Sequence, residues 1–397
     1  MSKQLFLFVN ILLIACLSSI ATEIYAPSLA AIAGFMHAPI EKAQFSLTIF
    51  MVGLAFSQLI YGPVSEGFGR RKPLIAGLLI FLVGSLLCAF STSITYLLAG
   101  RLIQGLGAGA CSSLWRTIFR DVYQGDDLAK YGAWLSVVII FFVPAVPVLG
   151  GYFQHYLGWQ ASFGFLILYC LLTLSLILFV FKETSIHHHS ERLKLSFIKQ
   201  TFKELLTSRI FMGYSLLVFF CYGAFFSWFA VGPVLLIKHI GLSPVEFGWV
   251  TFIISAGGMA LASTINGKFI KRFGSKFLLR AGWIIMFISG CLLLLGQLFF
   301  GLNLFAILVP VFLFYFGVTF IWPNAFAGAF TPFGHIAGYA GTLYSFMQLG
   351  GGALIGSISA HLPANSQFPM AIIFITSPIL AWVSYEILVN RKESKIL

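Results

Sequence analysis

Gly62-Pro63-Val64-Ser65-Glu66-Gly67-Phe68-Gly69-Arg70-Arg71 is followed 205 residues later by Gly267-Lys268-Phe269-Ile270-Lys271-Arg272-Phe273-Gly274-Ser275-Lys276. At that offset Gly62, Phe68 and Gly69 meet Gly267, Phe273 and Gly274. Each stretch is a short basic turn between two long apolar runs, and the same offset carries the first apolar run onto the seventh. The chain therefore repeats itself once. Outward from these two turns, apolar segments long enough to span a bilayer recur twelve times, at roughly 4–33, 43–63, 73–91, 95–118, 129–152, 159–182, 209–237, 245–266, 277–298, 302–326, 337–360 and 368–389. The pattern predicts an all-α membrane protein of twelve transmembrane helices in two six-helix pseudo-repeats. Its expected divisions are an N-terminal bundle, 1–182, a cytoplasmic linker, 183–208, and a C-terminal bundle, 209–397.

Composition agrees. Of 397 residues, 59% are hydrophobic, 17% aromatic and only 9% charged, against about 25% charged in a soluble domain. So few charges cannot cover a water-soluble surface, and so much apolar character excludes disorder. Unbroken apolar runs exclude an outer-membrane barrel, whose strands alternate polar and apolar. Lys3 and the apolar run after it have the form of a signal peptide, and Leu13-Ile14-Ala15-Cys16 matches a lipoprotein cleavage box. Because the rest of the chain is itself membrane-embedded, an uncleaved first span is expected.

The charges fix a topology. With a cytoplasmic N-terminus, 21 of the 24 Lys and Arg fall at cytoplasmic ends, Lys42 and Lys238 fall opposite, and Arg101 lies inside a span. This asymmetry is the positive-inside rule, and it places both termini in the cytoplasm. It also explains the net charge of +12 without a nucleic-acid partner. The six cysteines sit in apolar stretches with no CxxC pair, so neither a disulfide framework nor a metal site is expected. His187-His188-His189 in the linker reads as a solvated loop rather than a metal ligand set. No Walker A pattern occurs, and Gly105-x-Gly107-x-Gly109, inside a span and after no strand, reads as a helix-packing face.

Charges deep in a membrane are costly and therefore informative. Glu23 is the acid clearly inside a span, and Arg101 the base. A carboxyl in an apolar cavity takes or releases a proton according to which water reaches it, so Glu23 suits proton coupling. A guanidinium stays charged, so Arg101 is suited to bias the acid or to hold a substrate or helix carbonyls. In the loop, Gly62 permits close helix approach, Glu66 suits an Arg partner or a helix N-terminus, and Arg70 anchors the turn.

Gly62-x-x-x-Glu66-x-x-Gly69-Arg70-Arg71 resembles the loop signature of the major facilitator superfamily. Arg101-Leu102-Ile103-Gln104-Gly105-Leu106-Gly107-Ala108-Gly109 resembles its span-four motif, and Pro144-Ala145-Val146-Pro147-Val148-Leu149-Gly150-Gly151 its span-five antiporter motif. Glu23-Ile24-Tyr25-Ala26-Pro27-Ser28-Leu29, Arg120-Asp121-Val122-Tyr123 and Trp159-Gln160-Ala161-Ser162-Phe163 narrow the resemblance to the Bcr/CflA drug-resistance subfamily. The resemblance implies the major facilitator fold and proton-coupled export of small amphipathic molecules by alternating access. It implies a multi-pass protein of the bacterial inner membrane, acting as a monomer, with no cofactor beyond the proton gradient and no enzymatic activity. By the same resemblance Glu23 and Arg101 carry proton coupling. Gly62, Glu66, Gly69, Arg70, Pro144, Pro147 and Gly151 carry gating, with the prolines expected to bend span five. Helices one, four, seven and ten line the cavity in that fold, which makes Tyr25, Tyr222, Phe226, Trp228 and Trp322 expected wall residues. Glu23 and Glu66 stand where the family more often has Asp. A dedicated metabolite or siderophore exporter, or an uptake symporter, of the same fold is the open alternative.

Overall fold

In a computed structural model of the chain, residues 3–184, 194–363 and 365–390 are described. His187–His189, Arg192, Arg391, Lys392 and Lys395 lie outside the described residues. Every described element is helical, as a chain in lipid requires when its backbone groups have no water to bond. The helices are α1 (Lys3–Glu23), α2 (Leu29–Phe35), α3 (Ile40–Phe68), α4 (Arg71–Ala89), α5 (Ile94–Val122), α6 (Gly125–Tyr156) and α7 (Gln160–Phe179). After the linker come α8 (Leu195–Thr207), α9 (Arg209–Pro233), α10 (Pro244–Phe300), α11 (Leu304–Phe330), α12 (Ala337–His361) and α13 (Phe368–Tyr385). Side-chain caps begin several of them. Ser93 Oγ accepts from Tyr96 N, Ser208 Oγ from Phe211 N, and Ser243 forms a capping box with Glu246.

Among the described residues, nine helical stretches are long and apolar enough to cross a membrane. Two of them, Pro244–Phe300 and Leu304–His361, are 57 and 58 residues long, about twice what one crossing needs. The first contains a break at Gly274, with φ 76° and ψ 164°. Gly69, its partner at the 205-residue offset, has φ 85° and ψ 176° and ends α3. Both basic turns thus use the same left-handed glycine conformation, which a side chain would strain. The internal repeat is therefore a repeat of backbone geometry as well as of sequence.

Helices α1, α3, α4, α5 and α7 pack on one another, as do α9 to α13. The two groups meet mainly along α3–α12 and α6–α10. Small residues set these distances. A Cβ on Gly105 would strike Phe50 O, on Gly107 Phe81 N, and on Gly109 Ser57 Oγ, so the glycine series of α5 is a packing face against α3 and α4. Large apolar side chains such as Phe90, Leu168, Phe179 and Phe299 point outward, as lipid allows.

The polar linker holds a helix that its composition conceals. α8 turns Phe197 and Phe202 onto Tyr339 at the start of α12, with ring centroids 5.7 and 6.0 Å apart, and buries Leu205. The arginines and lysines of the α3–α4, α5–α6 and α10 turns gather at one end of the bundle, called here the basic end.

Candidate functional site

At the end away from the basic turns, the two helix groups are sealed. Gln44 Nε2 donates to Ala230 O at 2.7 Å. Phe45 meets His361 edge-on at 6.1 Å. On α6, a Cβ at Gly151 would strike Pro244 O, while a Cβ at Gly248 of α10 would lie 2.6 Å from Val148 Cα. α6 itself runs as one helix through Pro144 and Pro147.

Two connected cavities lie between the groups, toward the basic end. The deep chamber, about 190 Å³, is lined by Glu23, Ser18, Ser19 and Thr22 of α1, by Met51 and Leu54 of α3, and by Tyr222, Phe225, Phe226 and Phe229 of α9. The mouth chamber, about 180 Å³, is lined by Gly62, Glu66, Arg120, Asp121, Phe326, Phe330, Gly338 and Thr342. Gln58, Ser112, Arg116 and Ser345 line both. The waist between the chambers is thus wholly polar, while the deep wall is aromatic.

Glu23 closes α1, is 7% exposed and lines the deep chamber. Among the described residues its carboxyl has no hydrogen-bond or ion-pair partner. The hydroxyls of Tyr222 and Tyr315 lie within its electrostatic reach, and Tyr315 Oη is buried without a partner.

Arg101 occupies a different place. It is fully buried behind the cavity wall and lines neither chamber. Nη1 donates to Ala21 O at 3.1 Å and to Gln104 Oε1; Nε donates to Ser46 O at 3.4 Å. Its guanidinium carbon sits 4.4 Å from the Tyr25 ring centroid and 4.1 Å from that of Phe50. Arg101 therefore ties α1, α3 and α5 together by charged hydrogen bonds and cation–π contact. The structure does not bring it to the Glu23 carboxyl.

The expected aromatic wall divides. Tyr222 and Phe226 line the deep chamber. Tyr25, Trp228 and Trp322 do not. Tyr25 is drawn away by Ser46, whose Oγ lies 2.9 Å from its hydroxyl, and by the overlying Arg101. Trp228 stacks on Phe247 at 6.3 Å, and Trp322 packs edge-on against Phe225 at 5.2 Å. All three sit where ring packing, rather than access, is satisfied.

At the basic end Arg70 organises the loop. It donates through Nη1 to Glu66 Oε1 at 3.2 Å and to Ser65 Oγ at 2.9 Å, and through Nε to Asp121 Oδ2 at 3.3 Å. Glu183 caps α4, accepting from Arg70 N at 2.8 Å and Arg71 N at 3.1 Å. A Cβ on Gly69 would press into that carboxylate, and one on Gly62 into Thr342 of α12. Glu66 faces Gly338 in the first turn of α12, where a helix dipole favours an acid. Gly62, Glu66, Gly69 and Arg70 thus form one cluster at the α3–α12 contact, and Pro147 and Gly151 lie at the α6–α10 contact, with Pro144 earlier in the same helix.

Sequence reasoning missed Arg116, Gln58 and Glu183 as site residues. Arg116 was counted among the topological charges of the cytoplasmic ends, yet it faces the cavity.

Comparison with known proteins bears on the whole chain. The profile of the Major Facilitator Superfamily matches residues 11–360. The chain is 28% identical to the bicyclomycin resistance protein homolog of Haemophilus influenzae, over 98% of each sequence. It is 33% identical to the uncharacterized MFS-type transporter YdgK of Bacillus subtilis, over 92% of this chain and 91% of that one. To multidrug resistance protein D of Escherichia coli it is 27% identical, over 94% and 93%. Its backbone superposes on the partially occluded inward open conformation of the xylose transporter XylE from E. coli with a TM-score of 0.74, at 16% identity and 98% coverage of each chain. With its loop, span-four and span-five motifs in place and its family profile covering most of its length, the chain belongs to the major facilitator superfamily, in the Bcr/CflA drug-resistance branch, and is a transporter rather than an enzyme.

Proposed function

We propose that this protein is a proton-coupled exporter of small amphipathic molecules in the bacterial inner membrane, working by alternating access as a monomer. One observation carries the proposal: Glu23, whose carboxyl has no partner among the described residues, stands at the deep end of a cavity between two helix groups. An acid held there without a cation has no evident structural partner, and its charge is costly in a low-dielectric site.

The proposal includes a topology of twelve crossings. The nine apolar stretches supply nine, the second halves of Pro244–Phe300 and Leu304–His361 add two, and Ile94–Val122 adds the last. Both termini then lie with the basic end in the cytoplasm. Residues 1–182 and 209–397 are the two moving bundles, joined by the 183–208 linker. The state described is closed on the outside and leads from Glu23 toward the cytoplasm.

In the proposed cycle Glu23 is deprotonated while cargo loads from the cytoplasm. The bundles rock outward, breaking the Gln44–Ala230 and Gly151–Pro244 seam and closing the Glu66–α12 contact. A proton from outside neutralises Glu23, cargo leaves, and the protonated carrier returns to release that proton inside. One proton enters per cargo expelled. Arg101 holds the α1 end that carries Glu23, and the aromatic wall holds apolar cargo.

Purified protein in liposomes tests this directly. A pH gradient, acid on the side cargo is expelled to, should drive accumulation of at least one compound from a panel of ethidium, chloramphenicol and bicyclomycin, and a protonophore should collapse it. Transport of panel compounds indifferent to the gradient, or transport of none, would contradict the proposal.

A further inference from the structure

We propose that Arg116 is an anion-recognition residue of the cavity, and that the preferred cargo pairs an acidic group, a carboxylate or its like, with an aromatic body. The inference rests on the export reading above and narrows its substrate class.

Arg116 lines both chambers at their shared waist, in company with Gln58, Ser112 and Ser345. These four residues are the lining that the mouth chamber shares with the chamber of Glu23. Among the described residues the guanidinium makes no hydrogen bond and no ion pair. Arg70 holds Glu66 and Asp121, Arg101 holds Ala21, Ser46 and Gln104, and Arg120 lines the mouth chamber but not the deep one. Arg116 is therefore a cation kept in the path without a protein acceptor.

Its surroundings shape it for an anion. The guanidinium lies over the Trp115 ring, 4.4 Å from the centroid. A guanidinium held over a ring keeps its N–H edge available for a carboxylate, which it can grip with two parallel bonds. Beside it, the Gln58 amide donates to Ser112 Oγ at 2.9 Å and keeps its buried oxygen unpartnered. Beyond the waist, Tyr222, Phe225, Phe226 and Phe229 offer an aromatic wall for the rest of the molecule. A guanidinium that served only to anchor the helix in lipid headgroups would face outward, not the passage between the bundles.

The test is a binding titration on the full-length purified protein, without a gradient, using dansylglycine and its uncharged amide. The two probes share one aromatic body and differ in the carboxylate. Wild type should bind the acid at least tenfold tighter than the amide. Arg116→Gln should erase that preference while keeping affinity for the amide, which also shows that the variant is folded. Arg116→Lys should retain part of it, and Arg120→Gln, which removes an equal charge at the mouth, should leave it within about threefold. Wild type binding the acid no tighter than the amide, or binding neither, overturns the proposal. So does a preference that survives Arg116→Gln, and so does an equal loss of both probes in Arg116→Gln and Arg116→Lys alike, which marks the residue as structural. Since no proton gradient enters this measurement, its failure leaves the coupling role of Glu23 to be judged by transport alone.

Discussion

Glu23 and Arg101 look alike in sequence, two charges inside apolar spans, but the structure gives them opposite energetic roles. Arg101 is bonded through two of its nitrogens and clasped by two rings. Hydrogen bonds to charged groups contribute about 1.5–3 kcal/mol each. Arg101→Met should therefore cost at least about 3 kcal/mol of stability, seen as a large fall in thermal midpoint in detergent. Glu23 has no partner among the described residues, so Glu23→Gln should leave that midpoint unchanged or raise it. Equal midpoints for Arg101→Met and wild type would remove Arg101 from its structural role. The same pair shows what a sequence can tell at this scale. That a buried charge matters was legible; which one faces the cavity was not. The aromatic residues repeat the lesson. With 44 Phe in the chain, composition does not separate Phe226, on the cavity wall, from Trp228, stacked on Phe247 in the packed interior. Arg116 was hidden for the converse reason: basic residues near a span end serve topology so often that one turned inward looks the same.

At the scale of elements, the two glycine turns offer a matched comparison. Gly69 and Gly274 share a left-handed conformation, and a side chain there costs about 1–2 kcal/mol. Gly69 carries a second constraint, because its Cβ would enter the Glu183 carboxylate that caps α4, whereas Gly274 has open space around it. Gly69→Ala should therefore lower the thermal midpoint more than Gly274→Ala, and the reverse order would refute the capping role of Glu183. The helix crossings make a second prediction. A side chain at Gly151 must push α6 from α10 at the sealed end. Gly151→Leu should favour the state opened there, so that a cysteine placed at the buried Ala230 reacts at least several-fold faster with a membrane-impermeant thiol reagent. An unchanged rate would mean the α6–α10 contact does not hold that seal. These turns and crossings were largely readable, since glycines and basic residues mark where helices must end or touch. The helix α8 was not, because its apolar face of Phe197, Phe202 and Leu205 is too short to stand out from a polar linker.

Across the whole molecule, the internal repeat, the basic end and the sealed opposite end frame two helix groups with a cavity between them and an acid at its base. That the chain is all-helical and membrane-embedded was legible in its apolar runs, because the bilayer permits few ways to satisfy a backbone. Where the helices bound the cavity depended on side-chain packing, which no periodicity records. The central claim is that Glu23 couples the proton gradient to the rocking of the bundles. It is tested most directly in liposomes holding Glu23→Gln, with cargo exchange and gradient-driven accumulation measured side by side. The variant should still exchange labelled for unlabelled cargo across the membrane, since binding and rocking remain, but should no longer accumulate cargo under a pH gradient. Accumulation at the wild-type level would contradict the claim and send the search for the coupling group elsewhere in the cavity.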